Sequence, residues 1–314
     1  MSTSATSTMS SSFPSVSSTQ QAAPLQPRNP YGYVPTEWIC ILFIALFAVS
    51  TIAHTVQAAH SRLWWLFLTA FMAGIGEILG WSARLWSSQN VYLRDPYIMQ
   101  ITTTIIAPTP LIAANFIILG QIIRRMGQKY SRVSARWYTI IFCTADIIAL
   151  VIQALGGGSA STAIQNGRNP DTGGYIMLAG VSFQMAALVI YVVLASEFIL
   201  RYAYDHPFPR YGESTVARRR TDNKTKLMVL GLVLEAVFLF IRGIYRVVEL
   251  SNGWTGKIIT TEWLFVVFDG TMIVLAMLTI NIFHPALLLG KADTWLSRDS
   301  DEGVKALRCS KESV

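Results

Sequence analysis

Seven long apolar runs constrain the fold of this 314-residue chain more than any other feature. A helix needs about 20 apolar residues to cross the hydrocarbon core of a bilayer. The runs lie at 38–58, 63–83, 97–123, 137–158, 175–200, 226–249 and 263–285. Because only helices and closed barrels satisfy the backbone inside lipid, these runs predict an all-α polytopic membrane protein with seven transmembrane helices.

The composition excludes the main alternatives to a membrane protein. Charged residues make up 14% of the chain, whereas hydrophobic residues make up 52% and the mean hydropathy is +0.43. An average soluble domain carries roughly 25% charged residues, so a cytoplasmic enzyme is not expected. The same apolar content is too high for disorder over the whole length.

Polar segments flank the predicted membrane domain. Thirteen of the first twenty residues are Ser or Thr, and prolines follow, which predicts a disordered extracellular tail over 1–36. The tail has no apolar core typical of a signal peptide, so insertion is expected to depend on the first transmembrane helix. The seven-helix domain is predicted over 37–290 and a cytoplasmic tail over 291–314.

The positions of Lys and Arg predict the orientation. Eighteen of them fall in the connections at 59–62, 124–136 and 201–226 or after residue 285, whereas five fall on the opposite side. Basic residues concentrate on the cytoplasmic side of membrane proteins. The N-terminus is therefore predicted outside and the C-terminus in the cytoplasm. The net charge of +7 is explained by this bias, so a nucleic-acid partner is not expected.

Two local patterns predict features of the helix bundle. Pro108 and Pro110 lie inside the third run, and because proline lacks a backbone N–H we expect a kink there. Gly76 and Gly80 are four residues apart in the second run. Small residues at this spacing allow a neighbouring helix to approach closely.

Polar side chains within the runs are the candidate functional residues, because ionisable groups in a bilayer are costly. Several share a helix face, since residues seven, four or three apart lie on one side of a helix. The candidate ligand-binding residues are Glu77, Arg84, Gln100, Asp146, Gln153, Glu235, Arg242, Arg246 and Asp269. Each Arg–carboxylate pair has an alternative role as a clamp between helices. Polar groups from five helices at similar depth favour a shared interior site.

Several chemistries are not expected from the motifs. The sequence has no phosphate-binding G-x-x-x-x-G-K-[ST] loop, no H-E-x-x-H and no G-x-S-x-G. Its four histidines show no zinc spacing, and Cys40, Cys143 and Cys309 form no disulfide framework. We therefore expect neither an enzyme nor a bound metal or cofactor.

Six ordered motifs carry a resemblance to a known family. They are Tyr31-Gly-Tyr33-Val-Pro35 before the first run, Glu77-x-x-Gly80-Trp81-x-x-Arg84 in the second, Gln100 followed by Ala107-Pro108 and Ala113-Ala114 in the third, Asp146-x6-Gln153-x-x-Gly156-Gly157-Gly158 in the fourth, Arg242-x-x-Tyr245-Arg246-x-x-Glu249 in the sixth, and Glu262, Phe268-Asp269 and His284-Pro285 in the seventh. With these motifs the chain resembles the fungal lipid-translocating exporter family, the RTA-like proteins named for resistance to aminocholesterol. Trp81 stands where the family usually has Tyr.

The resemblance implies a function in lipid transport. Family members are associated with movement of sphingoid long-chain bases, with tolerance of toxic lipophiles and, in one branch, with porphyrin or haem traffic. The resemblance thus implies a plasma-membrane protein that binds and translocates or exports an amphipathic lipid, such as a sphingoid base or a sterol-like lipophile. Because the phosphate-binding loop is missing, we expect this movement to occur without ATP hydrolysis. Its expected partners are that lipid and the bilayer, and the oligomeric state stays open.

Carboxylates could serve such a ligand in two ways. Glu77, Asp269 or Asp146 could pair with the ammonium of a sphingoid base, while Arg242 and Arg246 keep the carboxylates in place. Asp146 and Glu235, nearer the middle of the membrane, are candidate proton carriers.

Other functions remain as alternatives. One is a porphyrin or haem transporter of the same family, and another is a seven-helix receptor or stress sensor. Against a receptor, the third run ends in Ile123-Arg124-Arg125-Met126 rather than Asp-Arg-Tyr. An intramembrane metal hydrolase is disfavoured, because only His54 and His284 lie within runs.

Overall fold

The computed structural model describes residues 29–208, 222–254 and 256–290, and every regular element in these ranges is helical. The α-helices are α1 (Glu37–Ser61), α2 (Met72–Gln89), α3 (Arg94–Ile106), α4 (Thr109–Met126), α5 (Ala135–Gln165), α6 (Asp171–Ala203), α7 (Asn223–Ser251), α8 (Glu262–Phe265), α9 (Met272–Ile282) and α10 (Pro285–Leu289). The all-α prediction is therefore confirmed for the described residues.

Six segments are long and apolar enough to cross a membrane. They are Glu37–Ser61, Arg94–Met126, Ala135–Gln165, Asp171–Ala203, Asn223–Ser251 and Glu262–Leu289. Their outward faces carry large aliphatic side chains such as Ile52, Ile147 and Leu155, each more than 60% exposed. Apolar side chains on the outside and polar ones on the inside are typical of a helix bundle surrounded by lipid. The chain is therefore a polytopic membrane protein.

The predicted span at 63–83 differs from these six segments. It forms a π-helical turn, Phe67–Phe71, that continues into α2. Helix α2 itself has 18 residues and carries both Glu77 and Arg84. Two buried charged residues in so short a helix explain why it lacks the apolar character of the others.

The third predicted run is broken at Pro108, as expected. Helix α3 ends at Ile106 and α4 begins at Thr109. Because Pro108 has no N–H, the carbonyl of Thr104, four residues earlier, cannot receive its usual helical hydrogen bond. This break therefore frees a buried backbone acceptor in the middle of the bundle.

A second π-helical turn interrupts the last segment. It spans Val266–Thr271 between α8 and α9, and the Thr271 hydroxyl donates to the Val266 carbonyl at 2.8 Å. Such turns add a residue to one helical turn and are frequent at functional sites. Asp269 lies within this turn and is fully buried.

Glycines bring α2 against α3. A Cβ at Gly76 would lie 2.6 Å from the Cβ of Ala107, and one at Gly80 would lie 2.5 Å from Cγ2 of Thr104. Both distances are shorter than carbon atoms tolerate, so only glycine permits this approach. The prediction from the Gly76–Gly80 spacing is confirmed, and the contact places Thr104 beside α2.

Residues 29–36 pack onto one end of the bundle, although the sequence predicts them as the end of a disordered tail. The ring of Tyr31 is buried against Tyr97, and its hydroxyl donates to Ser87 at 3.0 Å. Two aromatic residues in this short segment provide the apolar area that orders it. The remaining predicted tail segments, at 1–28 and 291–314, and residues 209–221 of the basic connection 201–226 lie outside the described residues.

Candidate functional site

The centre of the candidate site is a buried ion-pair cluster between α7 and the π-helical turn. Arg246 donates to both carboxylate oxygens of Asp269, from Nε at 2.7 Å and from Nη2 at 2.6 Å. Nε of Arg242, one turn earlier on α7, donates to Oδ1 of Asp269 at 3.1 Å. Asp269 thus accepts three charge-assisted hydrogen bonds, a geometry that fixes it firmly.

The same arginines reach the break in the third segment. Nη2 of Arg242 donates to the Thr104 carbonyl at 2.6 Å, and Nη2 of Arg246 donates to the Thr104 hydroxyl at 2.9 Å. Arg242 therefore replaces the backbone donor that Pro108 lacks. Gln100 lies one turn before Thr104 on α3, with its carbonyl accepting from that hydroxyl at 2.9 Å.

Glu249 links the cluster to a cavity at the end of the bundle where residues 29–36 pack. Its carboxylate accepts from Nη1 of Arg246 at 2.7 Å and from the Tyr245 hydroxyl at 3.0 Å. Glu249 also lines a cavity of about 730 Å³, together with Arg94, Tyr97, Asp171 and other residues. We call this cavity the vestibule. It holds both acidic and basic side chains beside an aromatic wall, a lining suited to a polar headgroup.

Glu77 lies beside the cluster without an ion-pair partner of its own, and the indole N–H of Trp81 on the same helix is a nearby donor. Its side chain is fully buried, and neither carboxylate oxygen accepts a hydrogen bond of ordinary geometry from a described residue. It is close enough to Asp269, Arg242 and Arg246 to interact with them electrostatically. A buried carboxyl group without a cation of its own is exceptional and calls for an explanation.

Arg84 belongs to a separate cluster, which includes residues of the segment that precedes α1. Its Nη2 donates to the Tyr33 hydroxyl at 2.7 Å and to Glu262 at 3.2 Å, and Glu262 also accepts from the backbone N–H of Thr36. The guanidinium lies 4.6 Å from the centre of the Phe265 ring. Burial raises the pKa of Tyr33, so the phenol stays protonated. This arrangement clamps residues 33–36 to α2 and α8.

Gln153 belongs to a chain of amides between α4, α5 and α6. Its Nε2 donates to Oε1 of Gln184 at 3.0 Å, and Nε2 of Gln184 donates to the Thr109 hydroxyl at 3.1 Å. Sequence reasoning did not select Gln184, although an amide in the apolar fifth run was a signal that could have identified it. Hydrogen bonds between buried amides commonly join membrane helices.

Asp146 and Glu235 stand apart from the ion-pair cluster. Both are buried, and neither the carboxylate oxygens of Asp146 nor Oε1 of Glu235 accepts a hydrogen bond of ordinary geometry within the described ranges. The polar side chain of Gln184, which belongs to the amide chain, lies near Asp146. Glu235 is near Tyr191, whose hydroxyl donates to Oδ1 of Asn115 at 3.1 Å. Neither acid forms an ion pair with a described residue.

The nine predicted residues are all buried, but they do not form one cluster. The structure brings Glu77, Arg242, Arg246 and Asp269 together, with Gln100 one turn away. Arg84, Gln153, Asp146 and Glu235 lie in other polar groups. Sequence reasoning did not select Thr104, whose contribution depends on the break at Pro108. Among the described residues no group of three or more His, Cys, Asp or Glu side chains could hold a metal ion.

Comparisons with known proteins agree with these motifs. Residues 70–292, which include the whole ion-pair cluster, match the family described as RTA1 like protein. The relative named Sphingoid long-chain base transporter RSB1 from Saccharomyces cerevisiae is 30% identical over 278 residues, covering 81% of this chain and 72% of the relative.

Two further relatives come from the same yeast. Protein RTM1 is 30% identical over 71% of this chain and 67% of its own length, and Protein RTA1 is 26% identical over 82% and 85%. No solved structure matches the chain. The breadth of the family match and the identity to these relatives show that the chain belongs to the RTA1-like protein family.

Proposed function

We propose that this protein binds an amphipathic lipid with a cationic headgroup, of the sphingoid long-chain base class, and moves it across the membrane without ATP hydrolysis and without enzymatic chemistry. The name of the yeast relative supports the substrate class. The observation that carries the proposal is the direct link between the vestibule and the buried ion-pair cluster through Glu249. A headgroup in the vestibule that reached this carboxylate would be in contact with the ion-pair cluster.

The headgroup and tail of such a lipid need different surroundings. The ammonium and hydroxyl groups would be satisfied by the carboxylates and amides of the interior, whereas the hydrocarbon tail would lie along apolar helix faces. The nine residues selected from the sequence remain the proposed ligand-binding set. Within that set, Arg246 is connected to the vestibule by its hydrogen bond to Glu249.

We propose a topology of seven spans with the N-terminus outside and the C-terminus in the cytoplasm, in the plasma membrane. The π-helical turn Phe67–Phe71 and α2 form the additional span, since helical residues 65–89 are together long enough to cross a bilayer. The membrane domain extends to 290 in this topology, and residues 29–36, which precede α1, pack onto its outer end. The vestibule then opens to the extracellular side.

The native cysteines provide a test of this orientation. Cys40 is buried and Cys143 is half-buried inside helices, whereas Cys309 belongs to the C-terminal tail. We expect a membrane-impermeant maleimide to label Cys309 only after cells are permeabilised, and Cys309→Ser to abolish that labelling. Labelling of Cys309 in intact cells would contradict the proposed orientation.

Reconstitution into liposomes tests the transport function. We expect the purified protein to accelerate transbilayer movement of a fluorescent sphinganine relative to protein-free liposomes, with no ATP present. An N-acetylated analogue, which lacks the ammonium, should not be accelerated. Glu249→Gln should slow the movement about tenfold, because one charge-assisted hydrogen bond is worth about 1.5 kcal/mol or more. Equal rates with and without protein would refute the function.

A further inference from the structure

The ion-pair cluster and the adjoining Glu77 together contain more acidic groups than basic ones. Two guanidinium groups, Arg242 and Arg246, face three carboxyl groups, Asp269, Glu249 and Glu77, and all five residues are at most 4% exposed. The hydrogen bonds pair the arginines with Asp269 and Glu249. Glu77 is therefore the surplus acid of the cluster.

The surroundings of Glu77 provide no cation of its own. The groups that interact with Glu77 are Asp269 on the π-helical turn, Arg242 and Arg246 on α7, and the indole of Trp81 on α2 itself. Gly74 and Gly80, three residues before and after Glu77 on the same face of α2, lie against Thr51 on α1, Met277 on α9 and Thr104 on α3. The two arginines already bind other acceptors, and the Thr51 hydroxyl donates to the Phe47 carbonyl. An ionised Glu77 would thus leave the cluster with one net negative charge inside the bundle, which is costly.

We propose that Glu77 is an exchange site occupied alternately by a proton and by the cationic headgroup, which makes this protein a proton–amphiphile antiporter. The inference rests on the proposed function and adds its energy source. With a protonated Glu77 the cluster is neutral. When an ammonium group binds, the carboxyl proton is released and a carboxylate–ammonium pair forms, so the cluster is neutral again and one positive charge has replaced another.

This charge balance couples movement of the headgroup to movement of a proton in the opposite direction. The state in which Glu77 is ionised and empty is disfavoured by burial, so the site changes sides only with a proton or a headgroup bound. None of the other buried acids both lacks a cation of its own and lies beside the cluster that leads to the vestibule. Asp269 and Glu249 are neutralised by Arg242 and Arg246. Asp146 and Glu235 are also buried and form no ion pair within the described ranges, but they lie outside the polar network that Glu249 connects to the vestibule.

The test needs a substrate with a permanent positive charge, because an ordinary amine can lose its proton, diffuse through the bilayer and accumulate on the acidic side without any transporter. The experiment uses an N,N,N-trimethyl long-chain base and liposomes with an imposed pH gradient. In one-for-one exchange, a gradient of one pH unit drives about tenfold accumulation of a monovalent cation in the more acidic compartment. We expect this accumulation with the wild-type protein and with Glu37→Gln, which removes an exposed carboxylate. Glu77→Gln should show no accumulation.

The outcomes distinguish this inference from the proposed function. If the wild-type protein moves the substrate but the pH gradient causes no accumulation, the antiport inference is wrong and the transport function stands. If the protein moves neither the quaternary base nor sphinganine, the proposed function itself fails. Accumulation that persists in Glu77→Gln would assign the exchange to another acid and overturn the role of Glu77.

A second measurement needs no variant and so does not depend on the folding of Glu77→Gln. A hydrophobic carbodiimide reacts with protonated carboxyl groups in apolar surroundings and forms a stable N-acylurea. We expect mass spectrometry to find this adduct on Glu77 at neutral pH, and saturating sphinganine to protect the site. Absence of the adduct from Glu77, or labelling that sphinganine does not reduce, would contradict the exchange site.

Discussion

Asp269→Asn is expected to lower the free energy of unfolding by about 3–5 kcal/mol, the range observed when one partner of a buried ion pair is removed. Asp269 is fully buried and accepts hydrogen bonds from Arg242 and Arg246. Asparagine keeps the shape but removes the charge, and its amide N–H groups would point toward guanidinium donors. The two arginines would then face each other without their shared acceptor. Thermal unfolding of the purified protein in detergent measures this loss.

A surface carboxylate provides the matched control. Glu197 on α6 is also held by two arginines, Arg132 at 2.5 Å and Arg201 at 2.8 Å, but Arg132 is 57% exposed. Exposed ion pairs contribute about 0–1 kcal/mol, so Glu197→Gln should be nearly neutral. If the two variants unfold at the same temperature, the ion-pair cluster does not hold α7 against the last segment.

The sequence spacing alone predicts that the charged residues of α7 point to the same side of the helix. Arg242, Arg246 and Glu249 are four and three residues apart, which places them on one helix face, and the hydrogen bond between Arg246 and Glu249 agrees with that face. The break at Pro108 was predictable for the same local reason, because it depends only on the missing N–H.

The partners across helices could not be predicted in this way. Periodicity gives the face of a helix, but neither its rotation against its neighbours nor the registry between segments. The separation of Arg84 from the ion-pair cluster, although it shares a face of α2 with Glu77, depends on Tyr33 and Glu262 approaching from other elements. The surplus charge at Glu77 likewise emerges only when the pairing of every arginine is known.

The contact between α5 and α6 depends on glycine, and a single methyl group at Gly156 is expected to disrupt it. A Cβ at Gly156 would lie 2.5 Å from the backbone nitrogen of Met177 and 2.9 Å from the Gly173 carbonyl oxygen. Backbone atoms cannot rotate away as a side chain can, so α5 and α6 must separate. Overpacking of this kind costs about 1–3 kcal/mol, and we expect Gly156→Ala to reach the upper end of that range in thermal unfolding.

The control for this prediction lies two residues away on the same helix. A Cβ at Gly158 would meet nothing within 4 Å, and its backbone is helical. Replacing a helical glycine by alanine stabilises by about 0.4–1 kcal/mol when space is available, so Gly158→Ala should raise the unfolding temperature while Gly156→Ala lowers it. The hydrogen bond between Gln153 and Gln184 crosses the same contact one turn from Gly156. Gly156→Ala should therefore also slow transport. Shifts of the same sign in both variants would show that α5 and α6 do not meet at Gly156.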